Sequence, residues 1–308
     1  MTTMTERVER QTLEAADKVG EIGTSVSNAV HNAVLAGGEP TRYIADFLHG
    51  TWLGHPLHPV LTDITIGAWG MGTLFDALGE MNDSDYQRKA ADQLMTIGTI
   101  SAVPTALSGL ADYSTFPEWS ANTATWHAAL NTVNFGLYIW SVAERKRGNR
   151  ARGVMISSIA FGLTCVSAWL GGKLVYRGRV GVDHSDSFKG PKVWQDVLAS
   201  AELAEGQRKR IEVEGKGVLV YRTGGRPYAI GAVCSHAGGP LDEGKFKGSC
   251  VECPWHQSVF DMKDGHIVHG PATTPQPHFQ VRERDGRIEI RLSEMKENFS
   301  RAGVERRD

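Results

Sequence analysis

Three long runs without a charged side chain decide what this sequence can fold into. Gln93–Ala111 covers 19 residues, Trp119–Ala143 covers 25 and Gly153–Gly172 covers 20, none of them Asp, Glu, Lys or Arg. About 20 predominantly apolar residues cross a bilayer as one helix, which satisfies every backbone N–H and C=O internally. A fourth stretch, Pro59–Leu78, has the same texture but carries Asp63 and Asp76. The sequence therefore predicts four transmembrane helices, at about 59–79, 93–111, 124–143 and 153–173. Short links would make them an antiparallel bundle in the lipid bilayer. Gly67, Gly70, Gly72 and the pair Gly171-Gly172 suit close helix contact. The rival reading, a buried soluble bundle, fits three such runs in succession poorly.

Four spans place both ends of the bundle on one face. The opposite face receives Arg88 and Lys89, then Arg145, Lys146, Arg147, Arg150 and Arg152. Basic loops favour the cytoplasm, so the charge bias leans toward an extracytoplasmic position for whatever follows the last span. Lys173, Arg177, Arg179 and Lys189 oppose that lean. The expected location is the cell membrane, multi-pass. The whole chain of 308 residues has a net charge of −2, which excludes a strongly basic nucleic-acid binder. Its mean hydropathy of −0.26 averages an apolar middle with polar ends.

Ahead of the spans, Val8, Ala15, Ile22 and Ala29 repeat every seven residues. This predicts an amphipathic helix ending near Gly37-Gly38, lying on the protein surface, in a coiled coil or on the membrane. The expected segments are 1–49 for this helix and a linker, 50–185 for the membrane domain, 190–292 for a β domain and 293–308 for a polar tail. The β domain is read from Arg210–Val213, Val218–Arg222, Arg226–Ile230, His278–Arg282 and Arg287–Leu292, which alternate or carry β-branched residues between Gly-rich turns.

Inside that β domain stand Cys234-Ser235-His236 and Cys253-Pro254-Trp255-His256. Two thiolates and two imidazoles on two loops suit a two-iron, two-sulfide cluster with the sulfur ligands on one iron and the nitrogens on the other. They also suit a Cys2His2 zinc site. The wider motif runs Cys234-Ser235-His236-Ala237-Gly238-Gly239-Pro240-Leu241 and Cys253-Pro254-Trp255-His256-Gln257-Ser258-Val259-Phe260-Asp261, with Asp264-Gly265 and Gly270-Pro271-Ala272 following. It resembles the Rieske family. The resemblance implies an all-β iron–sulfur fold, a [2Fe–2S] cofactor, Cys234 and Cys253 on one iron, His236 and His256 on the other, and one-electron transfer through exposed imidazole edges. It also implies places for a loop-bridging disulfide in some members, which here hold Gly239 and Trp255. The chain thus looks closer to Rieske-type ferredoxins. Residue 257 is usually Gly in the family and is Gln here, so a different loop turn is expected. Ser258 stands where a hydrogen bond to the cluster tunes its potential, and Phe260 stands where a Tyr would donate another. Cys250 is read as a spare thiol, and Cys165 falls within the fourth span.

Residues 50–185 resemble the DUF2231 membrane-domain family through His55-Pro56-Leu57-His58-Pro59, Asp63, Gly109-Leu110-Ala111-Asp112, His127, Asn131 and Gly171-Gly172-Lys173. The four-span topology assigns His55, His58, Asp63, Asp112, His127 and His184 to one face. They are candidates for a second site, holding a b-type haem between two imidazoles such as His58 and His127, or a quinone head group. The alternative is that they pair and cap helix ends. Trp52, Trp119 and Trp126 fit an interfacial aromatic belt. The expected function is a membrane-anchored electron carrier serving a redox protein or the quinone pool. A quinol- or haem-linked oxidoreductase and an iron–sulfur redox sensor are the alternatives. A Rieske oxygenase needs a further domain with mononuclear iron, for which residues 293–308 leave no room.

Overall fold

The computed structural model describes residues 4–185 and 190–293. The expected polar tail and Lys189 lie outside the described residues. The chain divides into two compact units: residues 1–33 with 57–180, and residues 34–56 with 181–308.

The first unit is helical. It holds α1 (Met4–Ala36, continuing a short way into the second unit), α3 (Leu57–Met81), α4 (Asp85–Tyr113), α5 (Ala121–Lys146) and α6 (Arg150–Tyr176). Two of these, α4 and α6, are long and apolar enough to cross a membrane by length and composition. The helices begin where local chemistry directs. The Ser84 side chain accepts a hydrogen bond from the Gln87 backbone N–H at the start of α4. Pro59 occupies the first turn of α3, where a missing N–H costs nothing.

The helices form two hairpins, α3 along α4 and α5 along α6. Small residues set the spacing within them. A Cβ on Gly98 would fall 2.5 Å from the Trp69 ring, and one on Gly72 would meet Met95 at 3.0 Å. Gly67, expected at a helix contact, has nothing within 4 Å, so Gly98 takes that role instead. Trp69 and Tyr138 stack face to face at 3.7 Å between centroids, joining α3 to α5 in the core with Met95, Ala102 and Ala160. The Tyr113 hydroxyl donates to the Gly23 carbonyl, and the Ser27 hydroxyl to that of Tyr113. The second half of α1 is therefore docked on the bundle.

At the far end of the hairpins, Arg145 is buried with Asp76. Its guanidinium reaches Asp76 at 2.5 and 3.0 Å, Asp92 at 2.6 Å and the Ser157 hydroxyl at 2.8 Å. Arg150 adds a contact to Asp76 at 2.5 Å. Asp76, which interrupts an apolar helix in the sequence, is thus the counter-ion of two arginines counted there as loop charges.

Among the described residues, the second unit holds α2 (Glu39–His49) and ten strands in two sheets. The larger sheet has β1 (Gln195–Ala199), β2 (Arg208–Val213), β3 (Lys216–Thr223), β4 (Arg226–Gly231), β9 (His278–Arg284) and β10 (Arg287–Leu292), in the order β1-β10-β9-β4-β3-β2. Three of its hairpins turn on two residues, Glu214-Gly215, Gly224-Gly225 and Asp285-Gly286, all with positive φ. That is the turn whose twist matches paired strands. Alternate residues, including Val213, Val218, Val220, Phe279, Ile288 and Ile290, fill one core. The smaller sheet runs β5 (Lys245–Lys247), β6 (Cys250–Glu252), β7 (Val259–Asp261) and β8 (Ile267–His269) in sequence order. Its core includes Leu241, Val251, Phe260 and Met262.

Removing one partner of a buried ion pair strands the other charge, at a cost of about 3–5 kcal/mol. Asp76→Ala is expected to destabilise the helical unit by up to that amount, since Asp92 still reaches Arg145. Asp76→Leu combined with Arg145→Met should lose less. Unfolding of the purified protein in detergent, followed by helical circular dichroism, measures both.

Candidate metal centre

The smaller sheet carries two loops at one end. The first runs from the end of β4 to β5 and holds Cys234 and His236; the second joins β6 to β7 and holds Cys253 and His256. The loops fold alike. The Gly238 N–H donates to the Cys234 carbonyl at 2.9 Å, and the Gln257 N–H to the Cys253 carbonyl at 3.1 Å. Both closing residues take positive φ, 82° at Gly238 and 57° at Gln257. The second loop therefore turns as the first does, with Gln257 in the place that Gly238 takes in the first. A non-glycine residue there costs about 1–2 kcal/mol. The Arg42 guanidinium donates to the Gln257 carbonyl at 3.2 Å and holds that loop from outside.

The four motif side chains come together by type. Both sulfurs are buried, and they hydrogen-bond to each other. That bond and burial push the Cys234 thiol well up. The same bond, with backbone N–H groups of Trp255 and His256, brings Cys253 down to about 7. The pair thus shares protons that must leave when thiolates bind a metal. The imidazoles of His236 and His256 stand 5.0 Å apart between centroids at 82°, each half-buried. His256 Nδ1 is closed off from solvent.

A Cβ on Gly239 would stand 2.8 Å from the Cys253 sulfur and 3.1 Å from the Trp255 ring. The backbone there must stay bare for the sulfur to be reached. Residues 239 and 255 are neighbours, as the resemblance implied, with an indole lying over a glycine. The donor set and this bare cradle fit a two-iron cluster: soft sulfur on one side, neutral nitrogen on the other.

A third loop ties the two together. The Ser258 hydroxyl is buried and accepts from the Ala272 N–H at 3.0 Å, which leaves its own proton free to donate. The Ser235 hydroxyl donates to the Thr274 carbonyl at 2.6 Å. Phe260 is fully buried in the core beneath. Cys250 is half-buried on β6, and burial raises its thiol, as suits a resting cysteine.

α2 (Glu39–His49) stands where the sequence predicts only a linker. Asp46 on α2 accepts from His269 Nδ1 and from the Gly270 N–H, both at 2.8 Å. Pro40 in the first turn and Gly50 at the left-handed C-cap were the available signals. His184, assigned by sequence to the membrane face, belongs to the β unit. Its N–H donates to the Ser235 carbonyl beside the first loop.

Of the other second-site candidates, His58 on α3 and His127 on α5 come together, with ring centroids 6.4 Å apart. His55 is exposed and its Nδ1 bonds the adjoining Pro56 carbonyl. Asp63 is exposed because five residues past His58 is well round the helix. Asp112 is half-buried near the end of α4.

Comparison with known proteins finds relatives of both parts of the chain. Residues 193–280 match the Rieske [2Fe–2S] domain, and residues 54–184 match a predicted membrane protein family, DUF2231. The ferredoxin component of the naphthalene 1,2-dioxygenase system of Pseudomonas aeruginosa is 33% identical over 100 residues, covering 32% of this chain and 96% of that protein. Ferredoxin CarAc of Metapseudomonas resinovorans is 31% identical over 100 residues, 32% of this chain and 94% of its own. The solved ferredoxin of carbazole 1,9a-dioxygenase from Nocardioides aromaticivorans IC177 is 31% identical, covering 33% of this chain and 99% of its own, with a TM-score of 0.31. The chain belongs to the Rieske [2Fe–2S] family through its β unit, and joins to it a DUF2231 membrane-protein domain.

Proposed function

We propose that this protein is a membrane-anchored one-electron carrier. Cys234 and Cys253 hold one iron of the cluster and His236 and His256 the other. The observation that carries the reading is the sorting of ligands, with two buried sulfurs in contact and two half-buried imidazoles paired with each other. When bound, the cluster supplies storage of one electron in iron valence, at about −150 to +300 mV for this ligand set.

The protein's own groups do the rest. The buried thiolates keep the negative charge away from water. The backbone N–H groups of Trp255 and His256 point at Cys253 and offset that charge. The half-exposed imidazoles form the edge at which a partner docks. The partner is a redox protein; the curated relatives are described as ferredoxin components of dioxygenase systems. α3 to α6 are the anchor, crossing the bilayer four times. In this topology residues ahead of α3 and the β unit share one face of the membrane.

In vesicles containing the purified protein, chemically reduced cluster is expected to return one electron per chain to an added oxidised one-electron acceptor protein. Reduction of the cluster by quinol alone would replace this reading with that of a quinol-linked enzyme, and a cluster inert to both would favour a sensor. Ser258→Ala removes a buried hydroxyl whose proton the Ala272 N–H leaves available for the cluster. Hydrogen bonds to charged groups are worth about 1.5–3 kcal/mol, so the potential should fall by about 60–130 mV, read by redox titration of variant against wild type. Tags placed at the N-terminus and after the β unit should be cleaved from the same side of sealed vesicles; cleavage from opposite sides rejects four crossings.

A further inference from the structure

The two helical hairpins repeat one another around a diagonal contact. Arg145 lies 69 residues after Asp76, the carboxylate it binds. Tyr138 and His127 lie at that same separation from Trp69 and His58, the rings they face. α3 and α5 therefore meet in three matched layers: an ion pair at one end, an aromatic stack in the middle and two imidazoles at the other end.

The imidazole layer differs from the other two. His58 Nδ1 lies 2.9 Å from the Thr105 carbonyl on α4, and His127 Nδ1 lies 2.9 Å from the Ser167 carbonyl on α6. Four residues past each carbonyl stands a glycine, Gly109 or Gly171, against which the same ring packs. A Cβ would fall 2.8 Å from the His58 ring at the first and 3.3 Å from the His127 ring at the second. A carbonyl only accepts, so both Nδ1 atoms carry a proton, and in the neutral ring that leaves Nε2 as the atom with a lone pair. The Ser167 hydroxyl also lies 3.2 Å from His127 Nδ1, and the Asn131 amide N–H donates to His127 Nε2 at 3.0 Å, which marks the lone pair there.

With Nδ1–H committed to a carbonyl on each side, neither ring offers that proton to the other. A backbone carbonyl on the far nitrogen is the usual support of a metal-bound histidine. With metal–nitrogen bonds of about 2 Å and each nitrogen about 1 Å from its ring centre, two imidazoles on opposite sides of one metal stand about 6 Å apart. The observed separation is 6.4 Å, with the rings at 84°. Both rings are half-buried, so a group can still reach them.

We propose that His58 and His127 are the two axial ligands of a transition metal in the helical unit. Haem iron is the form that takes two opposed imidazoles and leaves the remaining positions to its own macrocycle. A bare ion between the same nitrogens is the other source. The Asn131 amide turns aside on binding. The site stands on the helical unit alone and does not depend on the reading of the β unit.

The test uses the whole chain in detergent, titrated with hemin, with metal analysis in parallel. The expected result is about one haem per chain, with the Soret and α bands of a six-coordinate low-spin haem on reduction. His58→Ala or His127→Ala should abolish those bands and leave the Rieske electron paramagnetic resonance signal intact. Asn131→Ala should retain them. His127→Met keeps a ligand and should shift the bands, which a merely structural histidine would not do; it covers the case in which the alanine variants fail to fold. Metal beyond the cluster irons, without haem, and lost in the histidine variants, assigns the bare ion. Saturable binding that survives both histidine substitutions, or no haem and no additional metal, overturns the proposal.

Discussion

Everything in the β unit depends on keeping two sulfurs dry while two imidazoles stay wet. Cys234 and Cys253 are buried against Phe260, Leu241 and Met262, whereas His236 and His256 are half-exposed. Placing a buried thiol and a half-buried imidazole two or three residues apart requires tight loops, and tight loops require residues that accept positive φ. Gly238 supplies it freely; Gln257 supplies it at a cost. The Ser258–Ala272 and Ser235–Thr274 hydrogen bonds and the α2 contacts from Arg42 and Asp46 hold the arrangement in place. An electron carrier gains from such rigidity, because a site that changes valence without moving has little to reorganise.

The helical unit solves a different problem. Apolar helices have no strong driving force to associate when the surroundings are equally apolar, and here small residues and buried polar pairs set the packing. Gly98 under Trp69, the Thr65 hydroxyl bonded to Ser101 and Thr105, and Ser141 bonded to the Gly153 carbonyl are of this kind. The Asp76–Arg145 pair pins the end of the α3–α5 diagonal opposite His58 and His127. Burying two charges together is seldom a net gain in stability, but it fixes one register of one helix against another.

Much of this was legible in the sequence. Charge-free runs marked α4, α5 and α6 because lipid or a tight bundle tolerates little else, and the same texture marked α3. Gly-rich turns such as Thr223-Gly224-Gly225 marked the hairpins of the larger sheet. The smaller sheet was not legible, since three-residue strands such as β5 and β6 show no period. α2 was hidden by its short length. The role of Arg145 was hidden by distance along the chain: its partner is 69 residues away, so it read as a loop cation. The motif residues Cys234, His236, Cys253 and His256 were legible as a group because their chemistry is uncommon, and the structure brings them together. The closeness of His58 and His127 depends on how two hairpins pack, which no local pattern records.

The central claim is that this chain carries a two-iron cluster able to hold one electron. The most direct measurement is a redox titration of the iron-replete protein in detergent, followed by electron paramagnetic resonance. The account predicts an iron–sulfur signal that appears on reduction, fits a one-electron curve and has its midpoint between about −150 and +300 mV. Iron-replete protein with no reducible iron–sulfur signal would contradict it.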